Sequence, residues 1–265
     1  MSTSEPTISI RDFCKSYGED IAADHISFEI PAGRILGLIG PNGAGKTTTM
    51  RALTGIIPSS GGTLNVCGYS IDENPLEVKQ RTAYVPDDPR LFNDLTVREH
   101  FAFTAGIYNV DQWHERMLEL AARFDLTEKL DARAADLSRG MRQKLAICCA
   151  YLYEPRALLL DEPMTGLDPR GIRMLKNSIV EQAERGAAVI ISSHLLAMVE
   201  DICNHVLILE KGRTRFHGSL EELRAEFAGN QSDTTLEDIF FKTVESTPVP
   251  IVDLPPTASG PFVTG

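Results

Sequence analysis

The sequence predicts an α/β fold: a mostly parallel sheet covered by helices on both faces, with a helical lobe inserted into it. Three observations carry that prediction. Short apolar strands alternate with amphipathic helices on either side of the middle of the chain, the order that a parallel sheet with crossover helices requires. A glycine-rich loop, Gly40–Thr48, separates an apolar run from a helix. From about Asp87 to Glu154 the strand pattern gives way to helical spacing.

Taken in order, Thr7–Phe13 and Ile26–Ile30 read as short strands, and Arg34–Ile39 as a third, bounded by a Pro-Ala-Gly turn and the glycine-rich loop. A helix follows from Gly45 to about Leu53. Gly62–Val66 is a strand, and Thr82–Val85 another after a short helix. Thr96–Tyr108 and Gln112–Phe124 carry apolar residues at helical spacing. So does Arg139–Tyr153, where Met141, Leu145, Cys148, Cys149 and Leu152 line one side. Alternation resumes with strand Ala157–Leu160, helix Pro169–Glu184, strand Ala188–Ile191 and helix Leu195–Cys203. Val206–Leu209 and Arg213–Phe216 form a hairpin around Glu210-Lys211-Gly212, and helices Leu220–Phe227 and Leu236–Val244 follow. Pro248, Pro250, Pro255, Pro256 and Pro261 fall in a nearly uncharged stretch, 245–265, that reads as an extended or disordered tail. Residues 1–244 then form one unit, with a helical subdomain over about 87–154.

Composition narrows the function. With 265 residues and 43% hydrophobic content, the chain can bury a full core without disulfides or a structural metal. The formal charge of −11 argues against a nucleic-acid coat and against basic anchoring on anionic lipid. It leaves a local phosphate site open, because such sites are built from backbone N–H groups and one or two cations. The 5 cysteines form no CxxC pair, which suits a reducing compartment. The N-terminus has neither a basic segment nor an apolar one, and no apolar run is long enough to cross a bilayer. The histidines show no metal-ligand spacing.

Gly40–Thr48, GPNGAGKTT, fits GxxxxGK[ST] with Gly40, Gly45, Lys46 and Thr47 at the fixed positions. Glycines let the backbone curl so that successive N–H groups face one anion, and the helix N-terminus adds partial positive charge. Lys46 reaches the β- and γ-phosphates, and the Thr47 hydroxyl ligates Mg²⁺. Ala157–Pro163, ALLLDEP, delivers Asp161 to a strand end beside that loop, where a carboxylate holds Mg²⁺. Glu162 then stands beside the γ-phosphate, placed to orient or deprotonate water. Leu137–Lys144, LSRGMRQK, reads by spacing as a serine N-cap opening an amphipathic helix.

With Leu137, Ser138 and Gly140 in place a short distance before the Asp161 strand, the chain resembles the ATP-binding cassette family, whose signature reads LSGGQ there. Arg139 replaces a glycine and Met141 the glutamine. The resemblance extends over about Thr7 to Val244. It implies a P-loop NTPase (RecA-like) core with a mostly parallel sheet, an antiparallel β subdomain and an inserted helical subdomain. Asn42, Gly43, Gly45, Lys46, Thr47 and Thr48 would hold the ATP phosphates with Gly40. Ser138 and Gly140 would grip the γ-phosphate bound by the opposite protomer. Gly166-Leu167-Asp168 looks like the loop at the dimer seam, His194 like the histidine that contacts the γ-phosphate and supports Glu162, and Tyr17 like the aromatic that stacks on adenine. One departure stands out: Asp87 occupies the place of a glutamine. A carboxylate there still ligates Mg²⁺, but it adds negative charge beside the triphosphate.

The resemblance implies an ATPase with ATP and Mg²⁺, catalysed by Lys46, Glu162 and His194. It would dimerise with a second cassette subunit, homo- or heteromeric, around two ATP molecules. It would power export through a separate membrane permease, as in bacterial exporter-type ATPases. The expected location is cytoplasmic, peripheral on the inner face of the cell membrane, and no nucleic-acid partner is expected. The alternative is a soluble cassette ATPase with a regulatory or nucleic-acid- or ribosome-linked role.

Overall fold

The computed structural model describes residues 5–193, 196–227 and 236–245. The strands are β1 (Ile8–Tyr17), β2 (Asp20–Ile30), β3 (Ile35–Ile39), β4 (Gly61–Val66), β5 (Tyr69–Ser70), β6 (Thr82–Val85), β7 (Ala157–Asp161), β8 (Ala188–Ser192), β9 (His205–Glu210) and β10 (Arg213–Ser219). The helices are α1 (Lys46–Leu53), α2 (Pro75–Arg81), α3 (Val97–Tyr108), α4 (Trp113–Arg123), α5 (Arg139–Leu152), α6 (Pro169–Glu184), α7 (Leu196–Ile202), α8 (Leu220–Phe227) and α9 (Leu236–Glu245). The anticipated strands and helices within the described residues are present. His194 and most of the Pro-rich tail lie outside the described residues.

The strands form two sheets, ordered β2-β1-β4-β5 and β10-β9-β3-β8-β7-β6. The first is antiparallel throughout; the second is parallel except for the β9–β10 hairpin. The β1–β2 hairpin runs further than its apolar residues indicate. Asp12 and His25 sit at positive φ (50° and 52°) and the register shifts beside them, so alternation breaks while the ladder continues to Tyr17 opposite Asp20. The two-residue β5 has no sequence signal of its own.

The large sheet is buried on both faces, as parallel sheets are. Leu36, Leu38, Leu159, Ile190 and Leu207 pack with Ile8, Phe13 and Phe28 of the antiparallel sheet and with Met50 of α1. Their neighbours in sequence, Leu158, Leu160, Val189, Ile191 and Ile208, point the other way. They share a core with Phe101 of α3, Met117 of α4, and Leu145 and Tyr151 of α5. The helical lobe therefore has no separate core; it closes one face of the sheet. Tyr151 is fully buried, and its phenol meets Ser178 Oγ at 3.1 Å, which satisfies the hydroxyl inside that core.

Three helices, α3, α5 and α6, begin at side-chain caps. Thr96 accepts from Glu99 N while the Glu99 carboxylate accepts from Thr96 N at 2.7 Å, a reciprocal capping box at the start of α3. Ser138 caps α5 by accepting from Met141 N at 3.3 Å. Asp168 caps α6 by accepting from Gly171 N at 2.9 Å, with Pro169 at the first helical position. No helix among the described residues is long and apolar enough to cross a membrane.

Candidate functional site

The loop between β3 and α1 runs past the ends of the central strands, where open α/β sheets place their ligands. An open pocket of about 280 Å³ lies there, lined by Asn42, Gly43, Ala44, Gly45, Lys46, Thr47, Thr48, Asp87, Asp161 and Glu162. Nine of the residues singled out in the sequence thus converge on one cavity, although they come from three separated segments. That size is at the low end of small-molecule sites, which suits a phosphate chain with the rest of the ligand outside.

Gly45 shows why the loop has its composition. Its φ is 103°, and a Cβ would stand 2.4 Å from the Ala22 carbonyl oxygen. A side chain there meets backbone strain and a backbone clash together. Gly45→Ala is expected to lower folding stability by about 2 kcal/mol or more, read as a shift in the urea midpoint. An unchanged midpoint would contradict this geometry.

Lys46 is buried to 8% exposure, and its Nζ donates to the carbonyl oxygens of Gly40 (2.7 Å) and Pro41 (3.2 Å). Burial pushes its pKa below the ordinary lysine value, against the opposing pull of Glu162 and Asp161. A phosphate anion in the loop would meet the Lys46 ammonium directly, where Nζ now bonds two neutral carbonyl oxygens.

Asp161 is the hub on the opposite wall. Its Oδ2 accepts from Thr47 Oγ1 at 2.8 Å and from the Tyr84 hydroxyl at 3.2 Å, and its Oδ1 accepts from Ser192 Oγ at 2.6 Å. Burial and the adjacent Asp161 charge push the Tyr84 phenol up to about 12, so it stays a donor. Ser192 also binds the next residue: Glu162 N donates to Ser192 Oγ at 2.9 Å. Glu162 has φ 47°, an uncommon conformation for a non-glycine residue and one that clusters at functional sites. Tyr84 and Ser192 were not foreseen as site residues. The available signal was register: Asp161 pairs with Ser192 across β7 and β8, and Tyr84 lies on β6 beside β7. The hydroxyl of Thr47 and the carboxylate of Asp161 are hard oxygen donors side by side, a set that fits Mg²⁺.

The remaining candidates lie off the lining. Gly40 contributes its carbonyl beneath Lys46. Tyr17, at the β1–β2 turn, is 51% exposed, with Lys15 Nζ 5.0 Å from its ring centroid. Ser138 and Asp168 occupy their helix caps. Gly140 packs on the loop before Asp168, where a Cβ would stand 2.6 Å from the Gly166 carbonyl oxygen. Beside it, Arg139 Nη2 reaches Asp87 Oδ1 at 3.3 Å.

Known proteins resemble this chain in sequence and fold. The family described as ABC transporter matches residues 23–165. The ABC-type transporter ATP-binding protein EcsA of Bacillus subtilis is 35% identical over 237 residues, covering 89% of this chain and 95% of that protein. Nod factor export ATP-binding protein I of Cupriavidus metallidurans is 33% identical, covering 82% of this chain and 72% of that protein. A solved structure of the ATP-binding subunit of an ABC transporter superposes with a TM-score of 0.86 at 31% identity, covering 90% of this chain and 100% of that one. A phosphate loop with a buried lysine, a carboxylate hub at the end of β7 and likeness along most of the chain lead to one conclusion: the chain belongs to the ABC transporter family as an ATP-binding subunit, an ATP hydrolase that powers transport through a separate membrane protein.

Proposed function

We propose that two cassettes, this chain with a copy or a close relative, close around two Mg²⁺·ATP and drive export through a membrane permease. The cassette then lies on the cytoplasmic face of the membrane, held there by its permease. The observation that carries this reading is the incompleteness of the pocket. It gathers Lys46, Thr47, Asp161 and Glu162, while Ser138, Gly140 and Asp168 of the same chain stand outside it. A second subunit facing the first would bring those groups to the exposed phosphates.

In this reading the loop amides, Lys46 and the N-terminus of α1 bind the β- and γ-phosphates, with Gly40–Thr48 shaping the cradle. Thr47, Asp161 and Asp87 hold Mg²⁺, which supplies charge neutralisation on the phosphate oxygens. Tyr17 offers an exposed ring for adenine. Glu162 orients the attacking water and takes its proton as the new O–P bond forms and the bridge to the β-phosphate breaks. His194 supports Glu162 and the γ-phosphate. The export named for one relative, Nod factor export ATP-binding protein I, favours the outward direction.

Mixing variants tests the shared site. Ser138→Arg and Lys46→Ala are each expected to be inactive alone. Combined, they form mixed dimers with one intact site, because the sound Lys46 and the sound Ser138 come from different chains. Recovery of ATPase activity in the mixture, measured by phosphate release, is the expected result; a mixture as inactive as its components contradicts the shared site.

A further inference from the structure

The two departures from the family pattern quoted above at Asp87 and Arg139 are bonded to each other. Asp87 stands in place of a glutamine and Arg139 in place of a glycine, and Arg139 Nη2 donates to Asp87 Oδ1 at 3.3 Å across 52 residues of sequence. They belong to different elements: Asp87 follows β6, and Arg139 opens α5. The Arg139 stem lies over Gly166, its Cγ and Cδ each 3.2 Å from where a Cβ would stand on that glycine. The side chain thereby crosses the loop and its guanidinium reaches Asp87 at the rim of the pocket while staying half-exposed.

The pocket's own charges give this contact a purpose. Its lining holds three carboxylates, Asp87, Asp161 and Glu162, against a single ammonium, Lys46. That is an unfavourable balance for a polyanion. Arg139 brings a second cation to the rim and neutralises the carboxylate that departs from the pattern. The side chains of Arg139 and Asp87 are 56% and 48% exposed, so the pair adds little to folding, and its effect falls on the local field.

We infer that Arg139, at the first turn of the signature helix, acts in its own chain as a positioning residue that compensates Asp87 and sets the pocket's affinity for the triphosphate. This rests on the placement of ATP phosphates in the pocket proposed above. The signature segment then serves two nucleotides: the partner's through Ser138 and Gly140, and its own through the Arg139–Asp87 pair.

Calorimetric titration of ATP and ADP into the dilute full chain in EDTA isolates the effect from metal, turnover and closure. In a water-like dielectric at low salt, Arg139→Gln is expected to weaken ATP binding about five- to tenfold, and ADP less because it carries less charge. Arg139→Lys keeps the charge and is expected to stay within about twofold of the parent. Asp87→Asn in the Arg139→Gln background is expected to restore ATP affinity, and Asp87→Asn alone to tighten it, which tests the idea even if Arg139→Gln folds poorly. The inference is overturned if Arg139→Gln binds ATP like the parent, if ATP and ADP lose equally, or if the double variant stays as weak as Arg139→Gln. Lys46→Ala is the control. Normal ATP binding by that variant removes the pocket reading itself, whereas lost binding there with an unaffected Arg139→Gln removes only this inference.

Discussion

Glu162→Gln is expected to cut steady-state ATP hydrolysis by about 10²–10⁴-fold, the usual contribution of a positioned general base, while ATP affinity stays within about twofold. The substitution keeps the side chain's shape and removes only its capacity to accept a proton. It should leave the local structure intact, since the backbone at φ 47° is held through Glu162 N, which donates to both Oγ and the carbonyl oxygen of Ser192. With binding spared and turnover blocked, the variant should accumulate as an ATP-bound dimer on size-exclusion chromatography. A variant that hydrolyses ATP at more than a tenth of the parent rate would remove Glu162 as the principal catalytic carboxylate.

Lys46→Ala should lose ATP binding by about 10²–10⁴-fold, because each charge-assisted hydrogen bond to phosphate contributes about 1.5–3 kcal/mol and the ammonium reaches two phosphates. The nucleotide-free protein should not suffer in parallel. Burial already disfavours the Lys46 charge, and its bonds to Gly40 and Pro41 are made inside a loop whose backbone is set by other contacts. Calorimetry should therefore show lost affinity alongside a thermal midpoint unchanged within a few degrees. A matching collapse of the midpoint would make the binding loss a folding defect and deny Lys46 a direct role with phosphate.

What could be read in the sequence was what local spacing encodes. Gly40–Thr48 lies within one turn of chain, and its glycines and lysine state their task by their order. Asp161 and Glu162 follow an apolar strand that can end only at the rim of the sheet. Ser138 marks the start of α5 for the same reason, because a cap bonds within three residues. What escaped depends on neighbours distant in sequence. Ser192 donates to the Asp161 carboxylate and accepts from Glu162 N through the pairing of β8 with β7, and Tyr84 donates to Asp161 from β6. No window of residues around Asp161 contains either. The Arg139–Asp87 pair joins a strand end to a helix start through packing alone, so the sequence shows two oddities and only the fold shows that they answer each other. The β1–β2 extension was hidden differently, since positive φ at Asp12 and His25 interrupts the period on which strand reading relies.

The placement of β3 has a consequence for how this protein is made. Its lateral partners are β8 and β9, and Ile35 N already donates to the side chain of Asn204, 169 residues further along the chain. Ribosomes deliver chain from the N-terminus, so β3 and the loop it anchors must wait for nearly all of the cassette to emerge. The β1–β2 hairpin can form early from neighbouring residues, whereas the central sheet must close over long sequence separations, a slow step in folding. A nascent chain arrested before β8 should therefore present GPNGAGKTT without the wall that shapes it. Competence to hold nucleotide would arrive late in synthesis and all at once, when β8 and β9 take their places beside β3.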